Sequence, residues 1–382
     1  MIPYGRHWID EEDIQAVVKV LRSDWLTTGP VVEKFEAAVA EFVGGKYGVA
    51  VSSGTAALHA AVYAANIGPG DEVILPPMTF VASANAVVYQ GGTPVFADVD
   101  PNTLLIHPPD VEAKINPRTK AIIAVDYAGQ PCDYDALRTI ADRHHLILIA
   151  DACHSLGAEY KGRKVGTLAD LTVFSFHPVK AITTGEGGMV VTDNPEFAGK
   201  MRRFRNHGLT ADHRQRMETR TWHYEMEDLG YNYRLTDFQC ALGLRQLKKL
   251  PGWIDRRRQI AGYYNDRLSE TLPLKPLQVS RDVSHAYHLY AIQLDSALAK
   301  DYRASLFNAL REKGIHVNVH YKPVHLQSFY RERFQTKAGL CPAAEQAYQR
   351  ILSLPIYPLM TDADTKKVLD CLLNTCGQLW GN

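Results

Sequence analysis

The stretch Phe174-Ser175-Phe176-His177-Pro178-Val179-Lys180, followed by Gly185-Glu186-Gly187-Gly188, decides how this chain is interpreted. Residues 171–174 before it and residues 189–192 after it are rich in β-branched and aromatic side chains, which predicts two strands. Lys180 therefore lies in a glycine-rich turn near a strand end. A partly desolvated lysine has a lowered pKa and can attack a carbonyl group to form a Schiff base. A lone loop lysine is more commonly a solvated surface residue, so the assignment depends on the rest of the chain.

Length and composition exclude several classes of protein. The chain has 382 residues, enough for two domains or for one large domain with an appendage. Its 42 basic and 42 acidic residues give no electrostatic case for nucleic acid or a membrane as the main partner. We expect no signal peptide and no membrane-spanning segment. The six cysteines follow no metal-binding spacing, so we predict no metal site and a reducing, cytoplasmic location.

A second stretch offers a site for a phosphate group. Residues 47–51 predict a short strand, and Ser53-Gly54-Thr55-Ala56 then turns into an alanine-rich helix. The start of such a helix presents free N–H groups, hydroxyls and the positive end of the helix dipole. Serine and threonine are also the preferred N-caps of any helix, so this signal is weak when taken alone.

Two further strand ends carry an aromatic ring and a carboxylate. Phe80 follows the strand predicted at residues 72–75, where it is either a core residue or a surface for ring stacking. Residues 146–150 form the most apolar run, and the strand that they predict ends at Asp151. If the lysine stretch binds pyridoxal phosphate (PLP), a buried Asp151 carboxylate beside the ring would keep the pyridine nitrogen protonated. A helix cap is the common alternative role for an aspartate at this position. His154 could reach the same ring, but a lone histidine is more commonly structural.

Alternating strands and helices predict the fold class. The pattern favours an α/β protein with a mostly parallel sheet covered on both faces, whose ligand lies at the carboxyl ends of the strands. After Pro251 the elements become shorter, which predicts a smaller C-terminal α+β domain. The expected division is a large domain with the N-terminal segment at residues 1–250 and a small domain at residues 251–382. Thr236 and Gln239 form a capping box, from which we predict a helix to about Lys248 and a separate helix from Trp253.

In this order along the chain, the motifs resemble the DegT/DnrJ/EryC family of sugar aminotransferases, which are fold-type I PLP-dependent transferases. The resemblance runs nearly end to end. It is carried by residues 53–58, Phe80, residues 151–154, the lysine stretch and Gly230-Tyr231-Asn232-Tyr233-Arg234. The opening Ile2-Pro3-Tyr4, the Trp222 to Met226 stretch and His154 most resemble the pseudaminic-acid branch. His154 also occurs in the aminoarabinose branch, so it narrows the choice only in part.

The resemblance implies a role for each matching position. Lys180 would be the catalytic residue and would bind PLP covalently, while Asp151 would pair with the ring nitrogen. The phosphate would be held by Thr55, Ala56 through its N–H, Ser175 and, from a partner subunit, Asn232, and Gly54 would also bind the cofactor. Phe80 and His154 would contact the cofactor ring. The substrate would contact Tyr4, Trp25, Leu26, Thr27, Gly54, Ser175, Asn232, Arg234, and His320 and Tyr321 of the partner subunit.

The implied reaction moves the amino group of L-glutamate to C4 of a UDP-linked 4-keto-6-deoxy-N-acetylhexosamine. A homodimer with shared active sites would carry it out. The same machinery would serve a dTDP- or GDP-linked sugar, an aminoarabinose precursor or an aminocyclitol precursor. A third interpretation is a regulator that keeps the PLP fold without catalysis. The intact Lys180 argues against it, as it does against the dehydratase relatives that have histidine in place of this lysine.

Overall fold

A computed structural model describes residues 1–268, 274–295 and 299–380. Its strands fall into three sheets. The strands are β1 (Tyr47–Val51), β2 (Glu72–Leu75), β3 (Thr93–Phe96), β4 (Thr119–Val125), β5 (Ile147–Asp151), β6 (Glu159–Tyr160), β7 (Arg163–Lys164), β8 (Leu171–Ser175), β9 (Gly188–Thr192), β10 (Leu274–Pro276), β11 (Val283–Ser284), β12 (Tyr290–Leu294) and β13 (Ile351–Leu354). The largest sheet has seven strands in the order β1-β9-β8-β5-β4-β2-β3.

Helices cover this sheet and build most of the rest of the chain. They are α1 (Glu11–Leu21), α2 (Pro30–Val43), α3 (Gly54–Ala64), α4 (Ala82–Tyr89), α5 (Pro108–Ala113), α6 (Tyr134–His144), α7 (Pro195–Phe204), α8 (His213–Glu218), α9 (Asp237–Leu268), α10 (Ala299–Glu312), α11 (Ser328–Phe334), α12 (Pro342–Arg350) and α13 (Asp362–Trp380). Two 3-10 turns lie at Tyr127–Gly129 and Val324–Leu326.

The seven-stranded sheet confirms the predicted α/β class. Strands β3, β2, β4, β5 and β8 pair in parallel, and β9 alone runs antiparallel to its neighbours β8 and β1. The central strands are continuous apolar runs because both of their faces are covered, and Leu148, Ile149 and Ala150 are almost fully buried. Since β1, β5 and β8 point the same way, the residues that follow them meet at one edge of the sheet.

The C-terminal part has its own core. Strands β10, β12 and β13 form an antiparallel sheet, and their apolar side chains pack with those of α10 and α13. Ile2 from the N-terminus also belongs to this second core. The division at residue 250 stays a prediction, because this second core takes in the N-terminus as well as the C-terminal segment.

The two helices predicted on either side of Pro251 are one helix. The capping box at Thr236 and Gln239 is present, with Thr236 N–H and hydroxyl both bonded to the Gln239 amide oxygen. From there α9 continues through Pro251 to Leu268. Proline removes one helical hydrogen bond, but Leu250 and Trp253 beside it are buried against the sheet domain. Tertiary packing therefore outweighs the local cost of the proline, and the prediction of a break here is wrong.

Two features are absent from the described residues. No helix in residues 1–268, 274–295 and 299–380 is long and apolar enough to cross a membrane. No group of three or more histidine, cysteine, aspartate or glutamate side chains in that same part of the chain is arranged to hold a metal ion. The six cysteines are free thiols.

Candidate active site

A cavity of about 720 Å³ lies at the carboxyl edge of β1, β5 and β8. Most of the predicted site residues line it, although they come from distant parts of the chain. They are Tyr4, Gly54, Thr55, Phe80, Asp151, His154, Ser175, Lys180, His320 and Tyr321. The strand order explains this convergence, because three of the sequence motifs follow β1, β8 and β5, which run in the same direction with only β9 between β1 and β8.

The turn between β1 and α3 has the form of an anion site. Ser53 is the N-cap of α3, and its hydroxyl accepts the N–H of Ala56 at 3.0 Å. Ala56 was expected to give this N–H to a phosphate, but the cap already uses it. Gly54 and Thr55 are first-turn residues whose N–H groups have no carbonyl partner within the helix. These two amides, with the positive end of the helix dipole, are therefore the groups available to an anion.

Two glycines allow the chain to pack tightly around this turn. A Cβ on Gly54 would lie 2.8 Å from Cβ of Ser175, the residue that ends β8. A Cβ on Gly188 would lie 2.3 Å from the carbonyl oxygen of Ser53. Any larger residue at either position would push the turn away from β8 and β9. Gly54 and Gly188 thus allow the turn after β1 to pack closely against the segment that carries Lys180.

Lys180 follows β8 in a turn closed by its own N–H, which donates to the carbonyl of His177 at 2.8 Å. The side chain is partly buried in the cavity wall. Burial lowers the pKa of the Lys180 ammonium, while the nearby Cys153 thiol and Asp151 carboxylate oppose this shift. A lowered pKa increases the fraction of free amine, which is the form that attacks a carbonyl or removes a proton.

Asp151 ends β5 and is buried in the cavity wall. Its Oδ2 accepts a hydrogen bond from the hydroxyl of Ser83 at 2.6 Å, and its Oδ1 lies 3.3 Å from the N–H of Cys153. The sequence motifs did not identify Ser83, because a serine near the start of a helix resembles any capping residue. Its partner is 68 residues away, so only the fold reveals the contact.

Three imidazoles share the inner wall of the cavity. The rings of His154 and His288 lie 4.3 Å apart, and both Nδ1 atoms are buried with no hydrogen-bond partner among the described residues. Burial, with the positive charge of Lys180, holds the pKa of His154 and of His288 well below the usual value, and the pKa of His320 is lowered to about 4. All three rings are therefore neutral at neutral pH. His288 is a further cavity residue that the motifs did not reveal.

His154 also contacts Tyr321 in the cavity wall. Its Nε2 lies 3.3 Å from the hydroxyl of Tyr321, and the tautomer of the imidazole decides which of the two groups donates. Burial raises the pKa of Tyr321, so its hydroxyl keeps its own proton. The imidazole and the hydroxyl are therefore two neutral hydrogen-bonding groups at the cavity.

His320 and Tyr321 line the cavity of their own chain. The expectation that a partner subunit supplies them is wrong. The hydroxyl of Tyr127 bonds to the carbonyl of His320, and the ring of Tyr4 lies 5.4 Å from that of His320. The Tyr321 ring lies 6.2 Å from the ring of Phe80, a residue that lines the cavity and is 58% exposed.

Six predicted residues are not among those that line this cavity: Ala56, which directly follows Thr55 in the turn described above, and five residues from other segments. Trp25, Leu26 and Thr27 sit in the loop before α2, where the Leu26 carbonyl accepts the N–H of Asp237 at 3.0 Å. Asn232 forms a backbone bridge with Asn206, and the guanidinium of Arg234 donates to the Asn206 side chain at 2.7 Å. The contacts named here hold these five residues to segments other than those that form the cavity wall.

The residues of the cavity fit PLP. A helix-start turn with free amides suits a phosphate, and a buried carboxylate suits a protonated ring nitrogen. The lysine and an exposed aromatic residue line the same cavity as these two groups. Gly54 and Ser175 would hold the phosphate end, Asp151 the ring nitrogen, and Lys180 the carbonyl carbon.

Comparison with known proteins supports the same class. Residues 7–373 match the DegT/DnrJ/EryC1/StrS aminotransferase family. The chain is 43% identical over 373 residues to the spore coat polysaccharide biosynthesis protein SpsC of Bacillus subtilis, covering 97% of this chain and 96% of SpsC.

Two solved structures are similar in fold over almost the whole chain. Helicobacter pylori PseC, an aminotransferase of pseudaminic acid biosynthesis, aligns with a TM-score of 0.92 and 34% identity over 99% of each chain. The PLP form of the sugar aminotransferase Spr1654 of Streptococcus pneumoniae aligns with a TM-score of 0.93 and 30% identity, also over 99% of each chain.

Fold and site together define a PLP-dependent transferase of the aminotransferase class. The chain belongs to the DegT/DnrJ/EryC1/StrS family of sugar aminotransferases. The predicted family, fold class, cofactor and enzyme class are confirmed.

Proposed function

We propose that this enzyme transfers the amino group of L-glutamate to C4 of a UDP-linked 4-keto-6-deoxy-N-acetylhexosamine. The product would be UDP-4-amino-4,6-dideoxy-N-acetyl-β-L-altrosamine, a precursor of pseudaminic acid made in the cytoplasm. The observation that supports this most is the likeness to PseC over 99% of each chain. His154, Tyr4 and the Trp222 to Met226 stretch, which resemble that branch, agree with it.

The residues of the cavity can carry out such a transfer. Bound PLP supplies an electron-poor ring that accepts the electron pair released when a proton leaves the carbon bearing the nitrogen. Asp151 stabilises the positive charge that this requires at the ring nitrogen. Lys180 Nζ, as a free amine, takes the proton from Cα of glutamate and later delivers a proton to C4 of the sugar. A single mobile amine can serve both half-reactions from one face of the ring.

The uncharged imidazoles and the Tyr321 hydroxyl in the cavity lining suit a sugar more than an amino acid. Among the residues that line the cavity, no arginine is present to pair with the two carboxylates of glutamate. The hydroxyl of Tyr321 and the imidazoles of His288 and His320 offer hydrogen bonds suited to sugar hydroxyls. Arg234 and Asn232, which lie outside this cavity, would then come from a partner subunit in a homodimer with shared active sites.

A second substrate has an observation in its favour. The identity to SpsC, a spore coat polysaccharide protein, is higher than the identity to PseC. The alternative is therefore the same chemistry on another nucleotide-linked keto sugar, carried by UDP, dTDP or GDP. A regulator without catalysis is disfavoured by the intact Lys180 in the cavity wall.

A substrate panel tests the proposal. The enzyme with PLP is incubated with L-glutamate and separately with UDP- and dTDP-linked 4-keto-6-deoxy sugars, and the amino sugar is identified by mass spectrometry and NMR. We expect the highest kcat/KM for the UDP-linked N-acetylated sugar with the amine at C4. Preference for a dTDP-linked sugar, or for amination at C3, would contradict the proposed substrate. Failure of glutamate to change the absorbance of the bound cofactor would contradict the proposed donor.

A further inference from the structure

Two hydroxyl groups form consecutive hydrogen bonds that end at Asp151. Thr79 Oγ1 lies 2.7 Å from Ser83 Oγ, and Ser83 Oγ lies 2.6 Å from Asp151 Oδ2. Ser83 is fully buried and Thr79 almost so, and both line the same cavity as Asp151. The two residues lie where the polypeptide leaves β2 and enters α4, whereas Asp151 ends β5, and β4 lies between these two strands in the sheet.

The direction of these hydrogen bonds follows from the acceptor. An ionised carboxylate can only accept, so the single hydroxyl proton of Ser83 points to Asp151. Ser83 Oγ then has lone pairs but no proton to offer, and Thr79 donates its proton to Ser83. The two hydrogen bonds therefore point the same way, from Thr79 to Ser83 and from Ser83 to Asp151. This polarity favours negative charge on the aspartate, because each hydroxyl polarises the next.

We propose that Ser83, supported by Thr79, is a positioning residue for the reaction: it holds the Asp151 carboxylate ionised and fixes its plane. With Oδ2 bound to Ser83, the neighbouring Cys153 contacts the carboxylate through its N–H, which lies 3.3 Å from Oδ1, and through its thiol. We assign Oδ1 to the cofactor ring nitrogen, because Oδ2 already accepts the short bond from Ser83. A hydrogen bond to an ionised oxygen is shorter and roughly twice as strong as a neutral one. The inference depends on the PLP chemistry of the family and not on the identity of the sugar.

The chain contains a matched control for this contact. Ser155 donates to Asp126 Oδ2 at 2.6 Å, the same bond between the same residue types at the same distance. Both residues are fully buried, and Asp126 directly follows β4, the strand next to β5. Neither residue is among those that line the cavity. Loss of the Ser155 bond should therefore affect stability without touching the cofactor.

The test compares Ser83→Ala with Ser155→Ala, using PLP labelled with ¹⁵N at the ring nitrogen. We expect the ¹⁵N resonance of bound PLP in Ser83→Ala to move towards that of an unprotonated ring. We also expect kcat to fall about 10-fold to 100-fold with KM little changed. Ser155→Ala should keep the wild-type resonance and kcat while its melting temperature falls. A wild-type ¹⁵N resonance in Ser83→Ala, or equal shifts in both variants, would overturn the proposal.

Thr79→Val provides a second test if Ser83→Ala folds poorly. It keeps the shape of the side chain and the bond from Ser83 to Asp151, but it removes the outer donor. We expect a smaller ¹⁵N shift in the same direction, and Thr79→Ser should restore the wild-type resonance. An unchanged resonance in Thr79→Val, with the protein folded, would show that Thr79 does not support the hydrogen bond from Ser83 to Asp151. The NMR readout needs no substrate, so a wrong sugar or donor would not affect it.

Discussion

At the scale of single residues, the environment of Lys180 sets it apart from a surface lysine. Lys161 pairs with Asp135 at 2.7 Å on the surface, and this contact raises the pKa of the Lys161 ammonium. Lys180 lies in a cavity wall where burial lowers the pKa of its ammonium. Burial thus shifts Lys180 towards the free amine, whereas the ion pair shifts Lys161 towards the ammonium form.

Replacing Lys180 should abolish catalysis without unfolding the protein. In Lys180→Ala we expect amino transfer to fall by more than about 1000-fold, because both the covalent attachment and the proton carrier are lost. Steady-state kinetics, with circular dichroism as a check of folding, measures this. Lys161→Ala is the control and should keep wild-type turnover. Glutamate-dependent turnover close to wild type in Lys180→Ala would refute the assigned role.

Asp151→Asn should separate cofactor binding from turnover. Asparagine keeps the shape and can still accept the bond from Ser83, but it has no charge with which to stabilise a protonated ring nitrogen. We expect PLP to remain bound and turnover to fall by about 100-fold or more. Equilibrium dialysis of PLP and single-turnover kinetics with glutamate measure the two effects. A wild-type rate constant in this variant would be incompatible with the assigned role.

At the scale of elements, the loop between β11 and β12 carries His288 to the cavity. Helix α9 holds this loop, since Arg258 Nε donates to the carbonyl of His285 at 3.0 Å and Arg257 donates to the carbonyl of Tyr287 at 3.1 Å. The Nδ1 of His285 accepts the N–H of Tyr287 at 2.7 Å. Burial, aided by the charge of Arg258, lowers the pKa of His285 to about 3.

This loop should make the protein sensitive to acid. An unfolded histidine has a pKa of about 6.5, so below that pH the unfolded state binds a proton that folded His285 excludes, and stability is lost as the pH falls. In His285→Asn the amide oxygen can still accept the Tyr287 N–H but does not titrate. Between pH 7.5 and 5.5 we expect the free energy of unfolding of the variant to fall by about 1 kcal/mol less than that of wild type.

Urea unfolding at the two pH values measures this difference. His7→Asn, at an exposed position, is the control. Burial raises the pKa of Asp126 to about 6, which acts in the opposite direction, but it is common to all three proteins and cancels in the comparison. An equal loss of stability in wild type and His285→Asn would show that His285 does not set the acid sensitivity.

What the sequence could predict follows from the same elements. Lys180, Asp151 and the turn at Gly54 were predictable because each follows an apolar strand, and parallel strands bring such ends together. Ser83 and His288 were not, since their positions in the cavity wall depend on contacts between distant segments and neither belongs to a recognisable motif. The continuity of α9 was missed because local propensity at Pro251 opposes a helix, while buried neighbours on both sides favour it.

At the scale of the whole molecule, the N-terminal segment connects the second core to the cavity. Ile2 is buried in the second core and bridges to Ile315, and the carbonyl of Tyr4 accepts the N–H of Ile356. Tyr4 lies two residues after Ile2 in the sequence, and its side chain lines the cavity. Movement of the C-terminal part would therefore move Tyr4 and His320 relative to Lys180.

The proposed dimer predicts that Asn232 acts in the neighbouring subunit. Its side chain is outside the cavity of its own chain, although Tyr233 beside it accepts the N–H of Ser52 next to the phosphate turn. If Asn232 serves the partner, Lys180→Ala and Asn232→Ala damage different halves of each site. A mixed dimer would then hold one site with both lesions and one intact site.

Mixing the two variants tests this arrangement. Under conditions that exchange subunits, about half of the dimers are mixed, and each has one intact site, so activity should recover towards about a quarter of the wild-type value. Lys180→Ala mixed with Asp151→Asn is the matched control. These two residues line the cavity of the same chain, so every mixed dimer has two damaged sites and activity should not recover. The test requires Asn232→Ala alone to be strongly impaired. If subunits exchange freely in the first mixture and activity does not recover, Asn232 acts within its own chain. In that case each site of a mixed dimer carries one of the two substitutions, and no intact site forms.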